Sequence, residues 1–174
     1  MARIAVIGIG NVLTGDDAIG PYVVRVIEAA WTFPDDVEVF DAGTPGLDLT
    51  AYFSGAETLV IVDAVRAKGA PGELRVYSKD EILKGAPILA MSPHEPGVRE
   101  SLLNADFMGV CPKTVRLVGM IPEGVEVGCG LSAPARAAVP KLVDRVLAEL
   151  RAAGVTPVPR VPPVEPDLWW ERKA

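Results

Sequence analysis

The stretch IGIGNVLTGDDAIGPYVV, residues 7–24, decides the fold: it opens on an apolar, β-rich strand, passes through a glycine-bearing turn and closes on the apolar face of a helix. Strand followed at once by helix is the start of a crossover connection, and crossovers build parallel sheets. The turn carries Asp16 and Asp17 side by side. In a nucleotide-binding protein such a turn places a phosphate on the N-terminus of the helix, held by backbone N–H groups, and fixed negative charge there would repel it. GIGNVL begins like G-x-G-x-x-G, but Leu13 stands where the third glycine belongs, so a nucleotide-binding module is disfavoured. Gly8 and Gly10 are read instead as allowing a tight turn. The acidic pair invites a cation.

Outward from this stretch, runs of β-branched residues recur at 3–9 (RIAVIGI), 37–42 (VEVFDA), 58–64 (TLVIVDA), 73–77 (ELRVY) and 114–120 (TVRLVGM). They read as strands, several buried on both faces. Helical patterns lie between them. Ile19, Val23, Val26, Ile27 and Ala30 line one face of a first helix, with Pro21 tolerated in its opening turn. A shorter helix is predicted near Leu47, another after His94 in GVRESLLNADF, and a last one from the cap Ser132 through Val139, Leu142, Val143, Val146, Leu147 and Leu150 to Gly154. This alternation predicts an α/β fold with mostly parallel strands and helices on both faces of the sheet; the antiparallel-looking ELRVY strand allows the sheet to be mixed.

A chain of 174 residues fits one domain, here drawn as 1–154, followed by a Pro-rich arm over 155–174 that ends in Trp169 and Trp170. Proline density favours an extended, polyproline-like arm. Paired tryptophans left in water would make a large apolar patch, so the arm is expected to lie on its own domain. A net charge of -6 without a dense basic cluster argues against nucleic acid as the main partner. MARIAVIGIG reads as a first strand without an A-x-A cleavage pattern, and no apolar stretch approaches the roughly 20 residues of a membrane span. The expectation is a soluble, cytoplasmic protein without membrane insertion. Cys111 and Cys129 belong to no C-x-x-C pair and are expected to be small buried hydrophobes.

Ligands of parallel α/β sheets bind beyond the carboxyl ends of the strands. Asp16 and Asp17 follow the first strand, Asp41 ends the second, Asp63 ends the third, and His94, the single histidine, precedes a helix in SPHEPG. Asp17, Asp63 and His94 make two carboxylates and an imidazole, a set suited to a divalent transition metal such as nickel or zinc with positions left open for substrate. Strand-end aspartates also cap helices or satisfy loop amides, and that structural role is the one expected of Asp16. The DAGTPG segment, 41–46, is a turn whose backbone donors could hold an extended peptide. The loops 66–72 and 104–112 are candidates for setting specificity. No G-x-S-x-G pattern is present and neither cysteine has a suitable motif, which argues against covalent catalysis.

Taken in order, GIGNVLTGDDAIG (8–20), DAGTPG (41–46), VIVDAV (60–65), SPHEPGVRESL (92–102) and VGCGLSAPARAAVPKLV (127–143) resemble the hydrogenase maturation endopeptidases, which trim the C-terminus of nickel–iron hydrogenase large subunits. The likeness spans nearly residues 3–150. It implies a three-layer α/β/α sandwich with a twisted sheet, and a metal-binding triad at Asp17, Asp63 and His94. It also implies functional importance for Asp41, with Gly43 and Thr44 shaping the cleft. The implied partner is a large-subunit precursor already loaded with nickel, so the metal arrives with the substrate and no permanent cofactor is expected. Two schemes for breaking the peptide bond stay open: nickel polarising the carbonyl or the water, or Asp41 or Asp63 activating water directly. A rival of another class is a nickel-binding chaperone that reads the same precursor without cutting it.

Overall fold

Strict alternation along the first strand, β1 (Ile4–Ile9), sends Ile4 and Val6 into one hydrophobic core and Ala5 and Ile7 into another, so the strand is buried on both faces. The same division holds in β4 (Thr58–Ala64), where Val60 and Val62 enter the first core and Leu59 and Ile61 the second. It holds again in β6 (Thr114–Met120), with Val118 and Met120 on one side and Val115 and Leu117 on the other. The structure is a computed structural model and describes residues 3–46, 49–85 and 97–172. Among these, five strands form one sheet in the order β3-β1-β4-β6-β5, with β3 at Val37–Gly43 and β5 at Leu74–Ser78. All neighbours are parallel except β5, which runs antiparallel to β6.

Helices cover both faces. The first core is closed by α1 (Ile19–Ala30) and α5 (Ala133–Ala152), which pack on each other, and the second by α2 (Leu49–Phe53), α3 (Lys79–Leu83) and α4 (Val98–Phe107). This is the expected α/β/α sandwich with a mostly parallel, mixed sheet.

The strand order places a ligand crevice. From β1 the chain crosses by α1 to β3 on one side, then returns by α2 to β4 on the other side of β1. Right-handed crossovers travelling in opposite directions must lie on opposite faces of the sheet, as α1 and α2 do. Between β1 and β4 the connections diverge, and such a switch point leaves an opening outside the carboxyl ends of the strands. The residues following β1 and ending β4 stand at that opening.

Several expectations need correction. Gly8 lies inside β1 rather than in a turn: a Cβ there would sit 2.3 Å from the Gly20 carbonyl oxygen, so its missing side chain lets α1 press onto the strand. Gly20 answers it, since a Cβ there would come within 2.2 Å of the Ile9 carbonyl oxygen. On α1 the fully buried positions include Val24 and Ala29, whereas Val26 and Ala30 are half-buried, because the arm and β3 add a second contact to the helix. Cys129 is exposed rather than buried, and Cys111 is half-buried, packed against the margin of the second core. Residues 104–107 are the last turn of α4 rather than loop. α3 was not anticipated, although its capping box, Ser78 with Glu81, is written in the sequence SKDE. The predicted start near Leu47 falls at the edge of the described residues, with α2 running from Leu49.

Past α5, residues 155–172 turn back along the α1 side. Val158–Pro159 (β7) pairs antiparallel with Trp31–Thr32 (β2). The Arg160 and Val164 N–H groups donate to the Ala30 and Ala29 carbonyls, at 2.8 and 3.0 Å, satisfying acceptors that the end of a helix leaves open. The arm closes on Trp170, 5% exposed, and on Glu171, which meets Arg136 of α5 at 2.9 Å.

Candidate carboxylate site at the carboxyl edge of the sheet

After β1 the backbone turns too sharply for any side chain at Gly10, where φ is +142° and a Cβ would fall 1.8 Å from the Asp17 carbonyl oxygen. The chain then makes one short 3-10 turn, Gly15–Ala18, before α1. That turn carries Asp16 and Asp17, each only 1% exposed. Buried carboxylates are costly unless hydrogen-bonded, and the two are engaged in different directions.

Asp16 is tied to the loop that follows β6. Its Oδ1 accepts from the Ser132 N–H at 2.7 Å, and its Oδ2 accepts from the Glu123 N–H and the Ser132 hydroxyl, each at 2.8 Å. The Asp16 N–H in turn donates to the Gly124 carbonyl at 3.0 Å. Asp16 therefore pins segment 121–132 beside the turn, and Ser132 serves both as its donor and as the cap of α5, accepting from the Ala135 N–H at 3.3 Å. The structural role expected of Asp16 is the one it occupies.

Asp17 turns the other way. Its Oδ2 accepts from the Asn11 N–H at 2.6 Å and the Thr14 hydroxyl at 3.4 Å. Asn11 shapes this cradle by accepting the Leu13 N–H on its own side chain at 3.0 Å, a local Asx turn. Neither Asn11 nor Thr14 stands out in the sequence as a site residue; the signal available was an Asn directly after a glycine turn.

Asp63 is the penultimate residue of β4 and is 5% exposed. By alternation it shares the face of Leu59 and Ile61. Burial pushes its carboxyl well above the ordinary value of 3.8, and the negative charge of Asp17 raises it further, against a smaller lowering by the Ala64 backbone N–H. The two carboxylates are thus coupled electrostatically across the β1/β4 opening.

Asp41 is not brought to this pair. It alternates with Val37 and Val39, on the α1 side of the sheet, whereas Asp63 lies on the α2 side. Its Oδ1 accepts the Gly43 N–H at 2.8 Å and its Oδ2 faces the Arg25 guanidinium at 3.6 Å. Arg25 also meets Glu28 at 3.2 Å. The DAGTPG turn is held from the second face, where the buried Ser101 hydroxyl of α4 donates to the Gly46 carbonyl at 3.4 Å. His94 lies outside the described residues, three positions before Gly97, the cap of α4.

Among the described residues no group of three or more His, Cys, Asp or Glu converges as metal ligands. What they supply is two carboxylates, Asp17 and Asp63, enough for part of a divalent-ion shell and not for a whole one. No helix among the described residues is long and apolar enough to cross a membrane.

Comparison with known proteins gives a consistent result. The sequence profile of the family described as hydrogenase maturation protease matches residues 21–149. The chain is 38% identical over 162 residues to the hydrogenase 2 maturation protease of Escherichia coli strain K12, covering 91% of this chain and 96% of that protein. It is 36% identical over 177 residues to the hydrogenase expression/formation protein HupD of Rhizobium leguminosarum bv. viciae, covering 98% and 88% of the two chains. The solved structure of the E. coli hydrogenase maturating endopeptidase HybD superposes with a TM-score of 0.84 at 37% identity, covering 92% of this chain and 99% of that one.

Proposed function

The chain belongs to the hydrogenase maturation protease family, and from that premise we propose that it is an endopeptidase that removes the C-terminal extension of a nickel-loaded nickel–iron hydrogenase large-subunit precursor. The observation that carries this reading is the placement of two buried carboxylates, Asp17 in the turn that follows β1 and Asp63 near the end of β4, at one topological switch point. With the His94 imidazole they make a ligand set for a borderline divalent ion. The nickel is part of the substrate. Precursor bearing it docks with the metal against Asp17, Asp63 and His94, and apo precursor offers nothing for those groups to grip.

Two routes to hydrolysis are compatible with the site. In one, the substrate's nickel polarises the scissile carbonyl or the attacking water while a carboxylate takes the proton. In the other, a carboxylate activates water directly. Burial and the neighbouring negative charge fit Asp63 for this second role better than Asp41, whose carboxylate is engaged by Arg25 and Gly43 on the other face of the sheet. In either route Asp16 and Asn11 hold the turn and touch no reacting atom. The single-domain body over 1–154, the arm as a supporting strap and a cytoplasmic location complete the proposal.

The test is cleavage of nickel-loaded and nickel-free precursor by wild type, Asp17→Asn, Asp63→Asn and His94→Ala. Shortening of the nickel-loaded form alone, with loss of at least about 100-fold in rate for each folded variant, is expected from removing a group that acts in the transition state. Equal cleavage of both forms would mean that nickel is not the signal. A stable complex without cleavage would favour a nickel-binding chaperone.

A further inference from the structure

Two large apolar side chains stand in water at the rim of the site: Leu13 is 49% exposed and Val127 is 91% exposed. Their segments are far apart in sequence but bonded to each other. The Gly128 N–H donates to the Leu13 carbonyl and the Gly15 N–H to the Gly128 carbonyl, both at 2.8 Å, and Thr14 and Gly128 form a parallel bridge. The three hydrogen bonds from Glu123 and Ser132 to the buried Asp16 carboxylate fasten the pair from beneath. Leu13 and Val127 therefore sit on a fixed ledge continuous with the turn that carries Asp17.

Apolar side chains held rigidly in water mark a binding surface, and one already ordered costs a ligand little to use. The charge that the two ledge segments themselves carry has one sign. Segments 11–17 and 121–132 carry Asp16, Asp17, Glu123 and Glu126 and no Lys or Arg, and Glu123 and Glu126 are exposed. Arg136 of α5 reaches this loop at Gly130, where a Cβ would sit 3.7 Å from its guanidinium, and it is already paired with Glu171.

We propose that Leu13 and Val127 form a specificity ledge that grips the precursor polypeptide beside the scissile bond. The occupant is an extended segment with an aliphatic side chain on the ledge and a positive charge toward Glu123 and Glu126. The proposal rests on the endopeptidase reading above and adds the chemistry of the substrate chain to it. The competing surface is the exposed end of α4, where Leu103, Phe107 and Met108 are 40%, 93% and 57% exposed. That patch lies at the opposite edge of the sheet, since α4 runs away from the site over ten residues, about 15 Å.

The experiment is steady-state cleavage of nickel-loaded precursor by wild type, Leu13→Ser, Val127→Ser and Phe107→Ser, with a melting curve for each. The ledge predicts that Leu13→Ser and Val127→Ser each raise KM about tenfold with kcat within about twofold, the loss expected from one apolar contact, while Phe107→Ser changes neither. It also predicts that added salt raises the wild-type KM more than that of a Glu123→Gln/Glu126→Gln variant. Unchanged KM in the ledge variants of a cleaving enzyme overturns the proposal and leaves the endopeptidase reading intact. A raised KM in Phe107→Ser alone moves docking to the far edge and overturns it equally. If wild type cleaves nothing, the endopeptidase reading fails first, and fluorescence anisotropy with labelled precursor decides the ledge: about tenfold weaker binding by both variants keeps it, and equal binding removes it.

Discussion

Asp63 shows how one residue couples stability to a site. Its carboxyl is raised above the ordinary value by burial first and by Asp17 second, so the folded protein keeps this proton at pH values where the unfolded chain has lost it. Its contribution to stability is therefore whole below about 3.8, declines as pH rises toward the raised folded value, and is fully lost above that. Asp63→Asn, which cannot ionise, should melt higher than wild type at neutral pH by a few degrees, with the difference shrinking as pH falls toward 4. A variant that melts at or below wild type at neutral pH would mean that Asp63 is not carrying the cost of a buried charge. At this scale the order of elements marked Asp17 in the turn after one strand and Asp63 at the end of another. It did not separate them from Asp41. The parity of a strand decides which face a carboxylate takes, and parity needs the register.

At the scale of elements, α5 is instructive because it contains a helix-breaking residue and persists. Pro140 lies inside the helix and is exposed, while Ala138, Val139, Leu142, Val143, Val146, Leu147 and Leu150 bury the opposite stripe. Burial of that stripe outweighs the one backbone hydrogen bond that Pro140 cannot donate. Pro140→Ala should restore the bond without touching the core and stabilise the protein by about 1–3 kcal/mol. Chemical denaturation checks this; an unchanged or lowered midpoint would mean that the helix depends on the bend. The spacing of apolar residues, Ser132 at the cap and Gly154 beyond the end made α5 legible from sequence. The five strands of the main sheet were legible for the same reason, to within one residue at β1, β3 and β5. The two-residue strands β2 and β7 were not, because neither has a period of its own and each exists only by pairing with the other.

For the whole molecule the arm is the test case. Trp170 is 5% exposed with its indole nitrogen buried and unpartnered, and Glu171 of the same turn reaches Arg136, which also donates to the Tyr22 hydroxyl at 3.3 Å. The arm thus ties α1 to α5. Trp170→Ala should cost about 3–5 kcal/mol and lower Tm by roughly 10 °C, and Trp170→Phe should cost less because it removes the unpaired N–H along with some of the packing. Equal melting of wild type and Trp170→Ala would mean that the arm is not part of the folded body. The sequence by itself determined the strands, the main helices, the sheet class and the placement of Asp17 after the first strand and Asp63 at the end of another, since hydrophobic period, caps and the order strand–helix–strand are local signals. Only the tertiary structure decided which amides Asp16 fastens, that Asp41 faces away from Asp63, that Gly8 and Gly20 are a helix-to-strand contact, and that the segments carrying Leu13 and Val127 are bonded to each other. Each of those depends on which residues meet across long sequence separations, and burial, charge coupling and hydrogen-bond partners are settled only when they do.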